Sequence, residues 1–167
     1  MAEKKWTRDD LIAALKAIGC GEPESWADSQ LREGIFQLHR FAFLRALWSY
    51  VVRPDGTNWV NDKIDQAQQN RDEITSAAGP ALERMLKAGV AAEDIVKVVR
   101  AAQAELLFEF VYHLDDSLSA LARLPYPGNP SDVAWSLFAV DDEGNPMQEL
   151  GCLHESVIEV MPHPEDS

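Results

Sequence analysis

The chain has 167 residues, of which 46% are hydrophobic and 26% charged, a composition that excludes disorder and suits one ordinary globular domain. No apolar run approaches the ~20 residues of a membrane span, and the amphipathic start, with no continuous apolar core, is not that of a signal peptide. The 28 acids outweigh the 15 bases for a formal net charge of −13, a field that repels phosphate backbones, so nucleic acid is not an expected partner. Cys20 and Cys152 make no metal-spaced pair and are expected to be reduced, which with the missing leader points to the cytoplasm.

In chain order, Thr7 is a predicted N-cap, with Asp9 and Asp10 opposing the positive end of a helix dipole. Leu11, Ile12, Leu15 and Ile18 form its apolar face and Gly19 its stop. Residues 20–28, with Gly21 and Pro23, read as a loop. A second helix is expected over 29–52, amphipathic at first and apolar nearly all round from Phe41, hence buried. Arg53-Pro54-Asp55-Gly56 makes a turn.

A third, surface helix starts near Asn58 and carries Val60, Ile64, Ala67, Ile74 and Ala78 on one line. Gly79-Pro80 is expected to break it and open a short fourth helix that ends at Gly89. The fifth helix spans about 92–114 and should form the middle of the core with the second. Residues 115–132 hold three prolines and a glycine and read as a loop. The β-formers of 133–140, a turn at 141–146 and a second strand near 148–152 predict one hairpin. A helical segment follows at 154–160, then a loose tail over 162–167. The fold class predicted is mainly α: an orthogonal or antiparallel bundle of about five helices with a small C-terminal β-hairpin, in a single domain.

The strongest chemical constellation lies on the fifth predicted helix. Glu105, Glu109 and His113 stack at four-residue spacing where the surroundings are apolar, and charges are rarely placed there without partners. One reading makes Glu109 and His113 half of a metal or acid–base site inside the bundle, completed by His39, His154 or Glu155. The other pairs Glu105 and Glu109 with Arg40 or Arg45 across the core, and lets His113 bond locally near the helix end. The second is preferred, because the Glu-x-x-His repeat of di-metal bundles is missing.

His154-Glu155 begins a His-Glu-x-x-His zinc helix, but position 158 is Ile and the motif fails. Asp141 to Asn145 resembles the start of a calcium loop, but Pro146 stands where Gly is needed. Nucleophile elbow, P-loop and dinucleotide fingerprints are missing, and no cofactor is expected. Of the five tryptophans, Trp48 is expected in the core, while Trp26 and Trp59 border loops and are candidates to anchor a partner.

Two stretches resemble an uncharacterised family of small bacterial proteins. One is Gly79-Pro80-Ala81-Leu82 through Val99-Arg100-Ala101-Ala102-Gln103-Ala104-Glu105-Leu106-Leu107, ending in Tyr112-His113-Leu114-Asp115-Asp116. The other is Trp135-Ser136-Leu137-Phe138 followed by Leu153-His154-Glu155-Ser156. The resemblance implies a bacterial origin and a shared fold, and carries no activity. The leading functional expectation is a non-catalytic protein-interaction module that binds a basic partner, in the manner of an immunity protein. Its rivals are a metal-dependent enzyme centred on Glu109, His113, His154 and Glu155, and a small-ligand sensor with an aromatic pocket between the second and fifth helices. Self-association is a further expectation, since the long amphipathic helix and the border tryptophans exceed what one copy readily buries.

Overall fold

The computed structural model describes residues 6–69, 73–123, 125 and 128–162. Among them the chain is mainly helical, with a two-stranded antiparallel sheet near the C-terminal end. It gathers into two compact units, one built from Met1–Trp48 with Leu107–Ser167 and the other from Ser49–Leu106.

In the first unit, α1 (Arg8–Ala17) starts at Thr7, whose hydroxyl accepts from the Asp10 N–H while the Asp10 carboxylate accepts from the Thr7 N–H, a complete capping box. Leu11 and Leu15 are fully buried. The expected loop over 20–28 is corrected: α2 (Pro23–Glu33) begins there, with Pro23 in the first turn, where its missing N–H and fixed φ cost nothing. Arg8 bridges the two helices by gripping Asp28 through two bonds of 2.6 and 3.0 Å. That bond holds the Asp28 carboxyl below its ordinary range.

The single helix expected over 29–52 is also corrected. Gly34 caps α2 in the left-handed conformation (φ +71°), and a new helix, α3 (Gln37–Trp48), follows. Phe41, Leu44 and Trp48 are buried on α3, as is Arg40. The loop expected over 115–132 contains α7 (Ser117–Leu121) and a 3-10 turn, Pro130–Val133.

The hairpin is confirmed in shorter form, as β1 (Phe138–Val140) and β2 (Pro146–Glu149). Phe138 faces Glu149 and Val140 faces Pro146, so β2 carries one extra residue, a bulge. Asp141 ties the turn: its Oδ1 accepts from the N–H groups of Glu143 and Asn145, and its Oδ2 from the Asn145 side chain. These bonds, those of Asn145 foremost, lower the Asp141 carboxyl. The last helix, α8 (Leu153–Ser156), continues into turns through Val160. Of the tail expected over 162–167, residues 163–167 lie outside the described residues.

In the second unit, α4 (Asn58–Gln69) and α5 (Glu73–Lys87) pack against each other. The third helix expected to carry Val60 through Ala78 is corrected: Ile74 and Ala78 lie on α5, which runs through Gly79-Pro80, so that pair breaks no helix. Gly79 is instead a contact point: a Cβ there would sit 2.4 Å from the Ala67 Cβ, so only glycine lets α4 and α5 come this close. α5 ends at Lys87 and is closed by Gly89 (φ +86°), with the Val90 N–H returning to the Met85 carbonyl. Val52, Val60, Leu82, Ile95 and Val96 form the unit's apolar core, flanked by Trp59, Ile64, Leu86 and Val99.

The helix α6 (Ala92–Asp115) matches its expected span, and its residues are shared between the units at Leu106/Leu107. It is not apolar inside and out: Val96, Leu107 and Val111 are buried, whereas Val98, Leu106 and Phe110 are exposed. No described helix is long and apolar enough to cross a membrane.

Candidate functional site

The most organised polar constellation lies in the first unit, where the end of α6 meets α8. Asp115 is the last residue of α6, and its side chain is only 6% exposed. Its Oδ2 accepts from the His154 backbone N–H at 2.8 Å and lies 2.7 Å from the His154 Nδ1. Its Oδ1 is buried with no hydrogen-bond partner. A carboxylate in this place fixes the imidazole as its Nδ1–H form and leaves Nε2 as acceptor or metal ligand. The His154 side chain keeps 32% of its surface exposed, and Tyr112 stands edge-on to the ring at 5.3 Å. The Trp135 indole N–H donates to the His113 carbonyl at 2.9 Å.

α8 is only one turn long, so its own hydrogen bonds do not hold it. Arg40 does. Its guanidinium donates to the Cys152 carbonyl at 2.6 Å, to the Ser156 hydroxyl at 2.9 Å and to the Gln37 side chain at 3.2 Å. The Trp48 indole adds a bond to the Val157 carbonyl at 2.7 Å. Cys152, just before α8, has a left-handed backbone (φ +56°), the one positive φ outside glycine among the described residues. That conformation costs a side-chain-bearing residue on the order of 1 kcal/mol.

The sequence candidates fall in different places. Glu105, Glu109 and Glu155 are exposed, so no carboxylate stripe points into the core, and among the described residues Glu105 and Glu109 make no ion pair with Arg40 or Arg45. Arg40 meets neutral acceptors, and Arg45 donates to the Val160 carbonyl. His113 is half-buried, with its Nδ1 enclosed and unpaired. No three His, Cys, Asp or Glu side chains among the described residues gather as a metal set. Glu109, His113 and His154 are thus not part of a three-ligand set among those residues.

His39 stacks on Phe36 at 5.0 Å, with its Nδ1 buried and unpaired, and burial pushes its pKa below the ordinary value. Burial likewise raises the Cys20 thiol, whereas Cys152 is exposed. Trp26 lies edge-on to Phe41 at 5.2 Å, and Lys63 sits 5.9 Å over the half-buried Trp59 ring.

Asp115 is the functional-looking residue that periodicity does not single out. One trace of Asp115 exists in sequence: Tyr112-His113-Leu114-Asp115-Asp116 and Leu153-His154-Glu155-Ser156, from the two stretches of the family resemblance, are the ones joined by this pair. In comparison with known proteins, no family model matches the chain, and no curated protein or solved structure gives a significant match.

Proposed function

We propose that the chain is a non-catalytic protein-interaction module of a small bacterial family, working in the cytoplasm and docking a basic protein through acidic and apolar surface. An immunity-type role against a basic toxin is the form of this reading that the charge suits. The observation that carries it is the outward side of α6. In the second unit, Val98 and Leu106 are each 70% exposed and Glu105 lies beside Leu106. In the first, Phe108, Glu109 and Phe110 are all exposed. Apolar surface left in water costs about 25 cal/mol per Å², and its recovery by a partner supplies affinity. The net charge of −13 selects a basic partner and speeds its approach.

The test is capture of a partner from the host lysate, followed by titration with that partner purified. Leu106→Ser and Glu109→Lys alter exposed positions and should each weaken binding by about tenfold, roughly 1.4 kcal/mol. Affinity should also fall as salt rises. A partner that binds both variants as well as the parent, and without salt dependence, would overturn the reading. So would a doubled mass in solution that Leu106→Ser abolishes, since the occupant would then be a second copy.

A second reading rests on the Asp115–His154 pair, which is the arrangement of an oriented acid–base or metal-binding histidine. Elemental mass spectrometry of protein purified without chelator checks it. About one equivalent of zinc, iron or manganese, lost in His154→Ala, would put a metal-dependent enzyme ahead of the binding module.

A further inference from the structure

The hairpin of the first unit is an open sheet. It has two strands, so among the described residues no strand lies beside the outer edge of β1. An unpaired edge offers its N–H and C=O groups to any extended chain. The bulge lies in β2, which leaves β1 regular along that edge. A two-stranded ribbon is marginal by itself, and a third strand steadies it.

β1 also turns apolar side chains to water. Ala139 is buried, whereas Phe138 and Val140, which alternate with it onto the other face, are 46% and 54% exposed. Met147 on β2 is exposed as well. The charge along the hairpin has one sign. Asp141, Asp142, Glu143 and Glu149 are its charged residues, and after Arg123 the chain holds nine acids with no lysine or arginine. Asp141 is used by the turn, but Asp142 and Glu149 are exposed and make no ion pair among the described residues.

Two copies joined edge to edge would set these four carboxylates against another four, with no base between them, so the charge selects against self-pairing. A neutral strand would satisfy the backbone but leave the carboxylates unanswered. We infer that β1 takes up an extended basic segment of a partner protein as a third strand. Its apolar residues lie beside Phe138 and Val140, and its lysines or arginines face Asp142, Glu143 and Glu149. This goes beyond the docking surface of α6 and does not rest on it, since the hairpin and α6 supply different residues.

The experiment is isothermal titration of the full chain with the synthetic peptide Arg-Lys-Val-Thr-Val-Thr-Val and two controls. One control is the same peptide with every amide nitrogen methylated from its first valine onward; the other begins Glu-Glu in place of Arg-Lys. The basic peptide should bind with a Kd of about 1 mM or tighter, less tightly as salt rises. Methylation removes backbone donors and leaves the charge, and it should weaken binding by about tenfold, as should the acidic end. Val140→Lys and Glu149→Gln, both at exposed positions, should each weaken it several-fold, and bound peptide should slow amide exchange over residues 138–140. No binding of the basic peptide would overturn the inference. So would a methylated peptide that binds as well as its parent, or unchanged affinity in Val140→Lys. Protection that appears on α6 and not on β1 would overturn it while leaving the reading of α6 intact. A doubled mass of the chain alone that Val140→Lys abolishes would overturn it too, by giving the edge to a second copy.

Discussion

The two units solve the problem of cohesion differently. The second is held by apolar contact: Val52, Val60, Leu82, Ile95 and Val96 form one cluster, and Gly79 lets two helices touch. The first adds a buried charge to its apolar core. Arg40, 6% exposed, ties α3 to the carbonyl before α8 and to the hydroxyl at its end, with Trp48 and Asp115 fastening the same short helix. An apolar cluster degrades gradually when trimmed, whereas a buried guanidinium whose acceptors are orphaned fails at once. One unit thus depends on shape and the other on a few buried polar bonds, those of Arg40 foremost.

The largest expected effect follows from that contrast. Arg40→Met keeps much of the volume but strands the Cys152 carbonyl and the Ser156 hydroxyl, and charge-assisted bonds are each worth about 1.5–3 kcal/mol. A loss of about 3 kcal/mol or more is expected by urea unfolding, with amide exchange rising first over residues 150–160. Equal acceleration in α4 and α5 would show that the two cores do not fail separately.

In the second unit, Gly79→Ala should cost about 1–2 kcal/mol. Overpacking against Ala67 outweighs the roughly 1 kcal/mol gained in helix propensity. Adding Ala67→Gly should recover part of the loss. A neutral single variant would mean that the helices separate at little cost.

Much of the second unit was legible because apolar periodicity makes it. The exception is instructive: Gly79-Pro80 is the usual spelling of a helix break, and only the partner helix shows that the glycine is there for contact. In the first unit Thr7 announced its cap, but α2 was hidden although Pro23 and Glu24 are good first-turn residues. Gly21 beside Pro23 outweighed them. Leu106 to Leu114 is apolar on so many sides that the pattern gave no contrast by which to choose the buried face, so Glu109 was placed inward. The Asp115–His154 pair spans 39 residues, and nothing local to either residue signals the other.

Two smaller effects sharpen the picture of the first unit. Thr7→Ala removes the capping box and should cost about 1 kcal/mol, seen as a lower midpoint of thermal unfolding. His39 has a lowered pKa when folded, so the unfolded chain takes up the proton first. Stability is thus full above about pH 6.5 and falls as pH drops from there through the folded-state value. His39→Phe should flatten that part of the stability profile measured between about pH 7 and 5. An unchanged slope would assign it to another group.

Arg40 and Trp48 have a consequence for the order in which the protein is made. Their partners Cys152, Ser156 and Val157 lie 109 to 116 residues downstream. At about 5–20 residues per second, a ribosome needs roughly 5–23 s to supply them after α3 has emerged. Residues 49–106 arrive in that interval with the Val52–Val96 cluster complete within themselves. A nascent chain therefore carries a finished helical core while α3 still shows water an indole and a guanidinium destined for burial, and it is in those seconds that a chaperone has the most to hold.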